Sequence, residues 1–249
     1  MPFDGKRHAE LEQMAFDHFT DYEFLTDEFN DLCAAHTRKI YPDMKVRRPS
    51  VRELERMNRK PHFFRHEDCY VGYRVIANRF RFYNRVAFIR EFKSAGGRLY
   101  GIWFENHTFF YSAHLFDRLI QRGHDEAENR YQAIKIILEE WLLLLAYGPE
   151  LANHIKLNWH NSDQGAYADL VVPNRLGLAL GVTTQMEDET YVSMLKTFVS
   201  EDMLRHNQQY KHYLPFIADI ERVKSIKVGV ETYKEIQHLN FNVDEDDSF

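Results

Sequence analysis

Residues 98–123 read RLYGIWFENHTFFYSAHLFDRLIQRG, and the periodicity changes inside them. Up to about Ala113 the stretch is dense in aromatic and β-branched residues, the composition of strands. From there Leu115, Phe116, Leu119 and Ile120 recur at helical spacing. A strand-rich region therefore hands over to an amphipathic helix, predicted over about 113–122.

Upstream, CYVGYRVIA (69–77) and RFRFYNRVAFIREF (79–92) share the strand composition, broken at Ala77-Asn78. The SAGG stretch (94–97) supplies a hairpin turn at Gly96-Gly97. Together with 98–113 these runs predict an antiparallel meander. Alternation in RFRFY puts Arg79 and Arg81 on one side and Phe80 and Phe82 on the other. Residues 8–40 have helical periodicity through Leu11, Met14, Phe19, Phe29 and Leu32. SVRELERM (50–57) opens with Ser50 and Glu53 in capping-box spacing, which marks a second helix. Downstream, RYQAIKIILEEWLLLLAY (130–147) predicts a strong helix closed by Gly148-Pro149. IKLNW, AYADLVV, LGLALGVTT and YVSMLKTFV then restore strand character over 155–199, and a last helix follows SEDML with Ser200 as N-cap.

The expected class is α+β: a helical N-terminal portion, then a mostly antiparallel sheet with helices packed on one face. The expected divisions are a helical extension over 1–65, an α+β domain over 66–240 and an acidic tail over 241–249.

With 249 residues, 44% of them apolar, the chain has ample material for a packed core. Cys33 and Cys69 form neither a metal spacing nor a disulfide framework, which fits a reducing, cytoplasmic setting. The N-terminus lacks an apolar signal-peptide region. The longest apolar run, WLLLLAY (141–147), falls far short of the roughly 20 residues of a membrane span, so no membrane partner is expected.

A net charge of −6 speaks against a nucleic-acid binder, but its distribution is uneven. Residues 1–37 hold nine acidic residues against Lys6 and Arg7; residues 38–98 hold seventeen basic residues against six acidic ones. Such asymmetry suits a polyanionic partner, with the acidic segment masking the basic one. It equally suits an acidic helix packed on a basic segment.

On the helix over 113–122, His114, Arg118 and Arg122 lie within an arc of about 80°. A histidine titrates near neutrality, and two guanidinium forks match phosphate oxygens. One stripe thus combines a proton-transfer group with an anion clamp, most of what metal-free RNA transesterification requires. A solvated face partly neutralised by Asp117 is the other reading.

SAHLFDRLIQRG resembles the His-x3-Arg-x3-Arg-Gly helix of small toxin-like proteins, related to the barnase, EndoU, colicin and RelE-type ribonucleases. The resemblance spans about residues 111–205. It implies a metal-independent endoribonuclease with no cofactor, an RNA substrate, a toxin or defence role, and an antitoxin or inhibitory protein as partner. It also implies that His114 transfers a proton, that Arg118 and Arg122 stabilise phosphorane charge, and that Lys196 or Thr197 reaches in from YVSMLKTFVSEDML.

Arg74, Arg79, Arg81 and Arg85 interleave with Phe63, Phe64, Tyr70, Tyr73, Phe80, Phe82 and Tyr83, a mixture that holds single-stranded nucleic acid. Core aromatics with arginines on the solvent side are the alternative. A non-catalytic nucleic-acid-binding or interaction protein is the second function reading. A metal-dependent phosphohydrolase or nuclease is the third, on HFFRHED (62–68) and GHDEAEN (123–129), although no residue there has a persuasive ligand spacing. No Gly-x-Ser-x-Gly elbow and no glycine-rich phosphate loop is present.

Overall fold

The computed structural model describes residues 4–19, 22–42, 52–53, 60–77, 82–94, 96–104, 106–122, 126–163, 165–186 and 189–225. Helices α1 (Gly5–Phe19) and α2 (Tyr22–Ile40) precede five strands. These are β1 (His62–His66), β2 (Cys69–Ala77), β3 (Phe82–Ser94), β4 (Gly97–Phe104) and β5 (His107–Ser112). Then come α3 (Ala113–Arg122) and α4 (Arg130–Ala152). Strands β6 (Lys156–Ser162), β7 (Gly165–Asn174), β8 (Gly177–Gln185) and β9 (Tyr191–Ser200) follow, and α5 (Leu214–Ser225) is the last described helix. The chain is α+β.

All nine strands form one sheet in the order β1-β2-β3-β4-β5-β9-β8-β7-β6. Each neighbouring pair is antiparallel except β5 and β9, which run parallel from His107↔Tyr191 to Tyr111↔Leu195. Two meanders therefore meet at one parallel seam. The run 98–113 folds as two strands, because Phe104 pairs with His107. Asn106 accounts for the break: its carbonyl accepts the Tyr191 N–H at 2.8 Å, which starts β9 beside β5. The preceding hairpin pairs Ser94 with Gly97, whose φ of 109° lies in the left-handed region open to glycine.

Helices cover both faces of the sheet, a correction to the expected single helical layer. On one face Leu11, Ala15 and Phe19 of α1 and Phe29 and Cys33 of α2 pack on Val71, Tyr73, Phe88, Phe92, Phe110 and Met194. On the other, α3, α4 and α5 pack on Ile89, Tyr100, Phe109, Tyr111, Leu195 and Phe198. The physical reason is that both faces of the central strands are apolar: Phe110 and Met194 point one way, Phe109 and Leu195 the other. A sheet so built has two faces to cover. The acidic segment thus meets the sheet through apolar side chains. Both cysteines are free and buried at this contact, and burial pushes their thiols up to about 12.

Smaller boundaries also move. The expected division at 65/66 falls inside β1. Helix α4 runs past Gly148-Pro149 to Ala152, its last turn held by Leu151, which is 2% exposed in the core. Ser200 makes no side-chain cap; its hydroxyl donates to Asp202, and a 3-10 turn over Glu201–Met203 intervenes before the helix. Of 50–57 only residues 52–53 are described, as helical; Arg79, Arg81 and the acidic tail lie outside the described residues.

Gly177 begins β8 with φ 152°, and a Cβ there would lie 2.1 Å from the Val199 carbonyl oxygen and 2.8 Å from the Ser200 Cα. Both are backbone atoms, so β9 itself would have to move. Gly177→Ala is therefore expected to destabilise the fold by about 2–3 kcal/mol or more, strain plus lost strand pairing. Urea denaturation of the variant measures it; an unchanged midpoint would contradict the register of β8 and β9.

Candidate functional site at the carboxyl end of the parallel seam

Helix α3 leaves β5 directly, and Ser112 fixes the junction. Its hydroxyl accepts the Leu115 N–H at 3.1 Å, an N-cap contact, and donates to the Lys196 carbonyl of β9 at 3.1 Å. Leu115, Phe116 and Leu119 are fully buried, so the opposite stripe of α3 faces outward. That stripe carries His114, which is exposed, and the half-buried Arg118. Open α/β sheets bind ligands outside the carboxyl ends of parallel strands, and this rim occupies such a position in the one parallel pair among the described strands.

Arg118 Nε donates to His114 Nε2 at 3.3 Å, and Arg118 Nη1 donates to Gln121 Oε1 at 3.3 Å. A guanidinium only donates, so His114 Nε2 is the acceptor of this contact. The guanidinium has five N–H donors, so these two contacts leave three for an anion.

The other predicted residues are placed differently. Arg122 Nη1 donates to the Phe198 carbonyl at 2.9 Å, which pins the end of α3 to β9. Asp117 pairs with Arg130 of α4, and Arg130 also reaches the Tyr100 hydroxyl at 3.5 Å. The β8–β9 register shifts where Leu180 faces Thr197 and Gly181 faces Leu195, making Lys196 the extra residue of a β-bulge. Lys196 has its charged neighbours at the start of α1: burial lowers its ammonium pKa, Asp4 just before the helix opposes this and Arg7 in its first turn adds to it. Thr197 is half-buried on β9. His114 and Arg118 are thus in contact, whereas Lys196 belongs with Asp4, Arg7 and His8.

In the basic aromatic stretch, Arg74 and Arg85 are half-buried and directly opposite each other on β2 and β3. Tyr70 and Tyr73 are buried, so they are core residues and not stacking platforms. Arg65 lies 4.9 Å over the Tyr70 ring, and Arg65 and Arg98 both pair with Glu91, at 3.5 and 3.2 Å.

A second polar cluster had no sequence signal. At the start of the seam His107 stacks on Phe109 with ring centroids 3.9 Å apart. Its Nε2 lies 2.5 Å from Ser193 Oγ and 3.5 Å from Thr183 Oγ1. Ser193 and Thr183 are fully buried and His107 partly so, and this serine–imidazole contact ties β5 to β9 and β8. Burial pushes the His107 imidazole down to about 3. The folded state thus binds fewer protons than the unfolded chain below pH 6.5, so stability is full above that pH. It falls as pH drops from 6.5 toward 3. His107→Gln is expected to remove on the order of 2–4 kcal/mol of this acid sensitivity. Denaturant midpoints measured from pH 7.5 to 4 check it: a slope equal to that of the parent would contradict a buried neutral imidazole.

Among the described residues no three His, Cys, Asp or Glu side chains gather as a metal-ligand set. No described helix is long and apolar enough to cross a membrane. Comparison with known proteins finds no matching family model, no matching curated protein and no matching solved structure.

Proposed function

We propose that the chain binds single-stranded RNA at the α3 rim and cleaves it without metal by transesterification. The observation that carries this reading is the His114–Arg118 contact, an imidazole beside a guanidinium with donors to spare, at the carboxyl end of the parallel seam. A phosphate oxygen that recruits Arg118 draws its Nε–H away from His114. The freed Nε2 lone pair then accepts the 2′-hydroxyl proton. The 2′-oxygen bonds to phosphorus, the bond to the 5′-oxygen breaks, and that oxygen takes up a proton from water. Arg118 balances the charge that grows on the equatorial oxygens. The products are a 2′,3′-cyclic phosphate and a 5′-hydroxyl. The ribonuclease resemblance of residues 111–205 adds a toxin or defence role, with an antitoxin or inhibitory partner, to the same proposal.

One observation favours a second reading, a nucleic-acid binder without turnover. Arg122 is committed to a backbone carbonyl and Lys196 sits with α1, so the rim presents one imidazole and one guanidinium. Incubating the full chain with end-labelled single-stranded RNA in excess chelator separates the readings. Cleavage is expected, with cyclic phosphate ends. Intact but retained RNA would establish the binder, and cleavage that disappears with chelator would establish the metal-dependent reading.

A further inference from the structure

Between the first turns of α1 and the far rim of the sheet lies an open cleft of about 410 Å³. It falls within the range of small-molecule sites, roughly 300–1,000 Å³. Its lining includes His8, Glu12, Trp159, Thr184, Gln185 and Met186. Neither His114 nor Arg118 borders it.

The chemistry of this lining is specific. Thr184 Oγ1 donates to Glu12 Oε1 at 3.0 Å, which holds the carboxylate in place, and a carboxylate has lone pairs on two oxygens for further donors. Gln185 is exposed and offers an amide donor and acceptor. His8 is 2% exposed, and burial lowers its pKa, so it is an uncharged hydrogen-bonding wall. Trp159 is 43% exposed, unusual for the largest apolar side chain, and supplies an aromatic surface. Among the described residues no Lys or Arg lines the cleft, and Glu12 repels anions. The complementary ligand is a neutral flat ring with N–H donors.

Cations stand just beyond one wall. Lys196 is close enough to His8 to act on its charge, and Arg7 and Asp4 act on Lys196. The Lys196 carbonyl in turn accepts from Ser112 at the foot of α3. The cleft itself lies on the face that α1 covers, opposite the one that α3 packs on.

We infer that this cleft is a nucleobase subsite, which stacks an unpaired base bearing an exocyclic amino group on Trp159 and accepts that amino group at Glu12. The inference deepens the RNA reading above and rests on it for its biological ligand.

Ligand-observed NMR with adenosine, cytidine and uridine, each at millimolar concentration with the full chain, tests it. Adenosine and cytidine should bind, and uridine, without the amino group, more weakly. Trp159→Ala should weaken adenosine at least about fivefold, the lower end for a lost base–aromatic stack. Glu12→Gln should bring adenosine down toward uridine, and His114→Ala should leave nucleoside binding unchanged. Circular dichroism confirms that each variant is folded, and Trp159→Phe, which keeps an aromatic face, should retain most of the binding. No nucleoside binding to the parent chain overturns the subsite, as does equal binding of all three nucleosides that neither substitution reduces. RNA cleavage without nucleoside binding would overturn the subsite alone. Nucleoside binding without cleavage would overturn only the ribonuclease assignment.

Discussion

Phe19→Ala is expected to lower stability by about 3–5 kcal/mol, the cost of a large cavity in a packed core. For a domain of this size that is roughly 6–20 °C in Tm. The Phe19 ring is 1% exposed and packs against Phe88, Phe92 and Trp103, with centroids 6.1–6.4 Å away. It anchors α1 over the face that contains Val71, Tyr73, Phe110 and Met194. Removal of residues 1–40 should have a larger effect. It would strip one whole face of the sheet, and the remaining chain should lose its cooperative thermal transition and bind a hydrophobic dye. These outcomes oppose a detachable acidic mask, whose removal leaves a folded protein with higher RNA affinity. A soluble truncated chain with a sharp transition and tighter RNA binding would show that α1 and α2 are a cover and not a core layer.

The largest functional effect is expected at His114. General base catalysis is worth about 10²–10⁴-fold, so His114→Ala should lose cleavage by that factor. The side chain is exposed and caps no core contact, so the fold and Tm should be unaffected. Arg118→Ala should lose about 10²–10³-fold, the loss expected for one preorganised donor. It should also weaken RNA binding, which His114→Ala should not. Arg122→Ala separates structure from chemistry. It frees the buried Phe198 carbonyl and should cost about 1–3 kcal/mol of stability, visible as a lower Tm before any loss of rate.

Much of the fold was legible because local pattern and tertiary role agree. The strand runs from 69 to 113 and from 155 to 199 became eight of the nine strands, and the stripe of Leu115, Phe116 and Leu119 turned inward as spacing required. The second helical layer was harder to read. A strand such as β5, with Phe109 and Phe110 on opposite faces, has no polar side to reveal which helices will cover it. The parallel seam depends on Asn106 and Tyr191, 85 positions apart by their numbers, which no local period connects. Lys196 was legible as a cation near the end of β9, but the bulge that turns it toward α1 is a property of the β8–β9 register. Glu12 and Thr184 met for the same reason across 172 positions. Of that cleft, Trp159 shares β6 with one other apolar side chain, the also exposed Leu157, and nothing local marks its partners on α1.

Rates of single-stranded RNA cleavage by the parent chain and by His114→Ala, compared in excess chelator at matched protein folding, test the central claim most directly. The account predicts cyclic phosphate products from the parent, and a loss of about 10²–10⁴-fold in the variant with RNA binding retained. Equal rates from the two proteins, or RNA left whole by the parent, would contradict it.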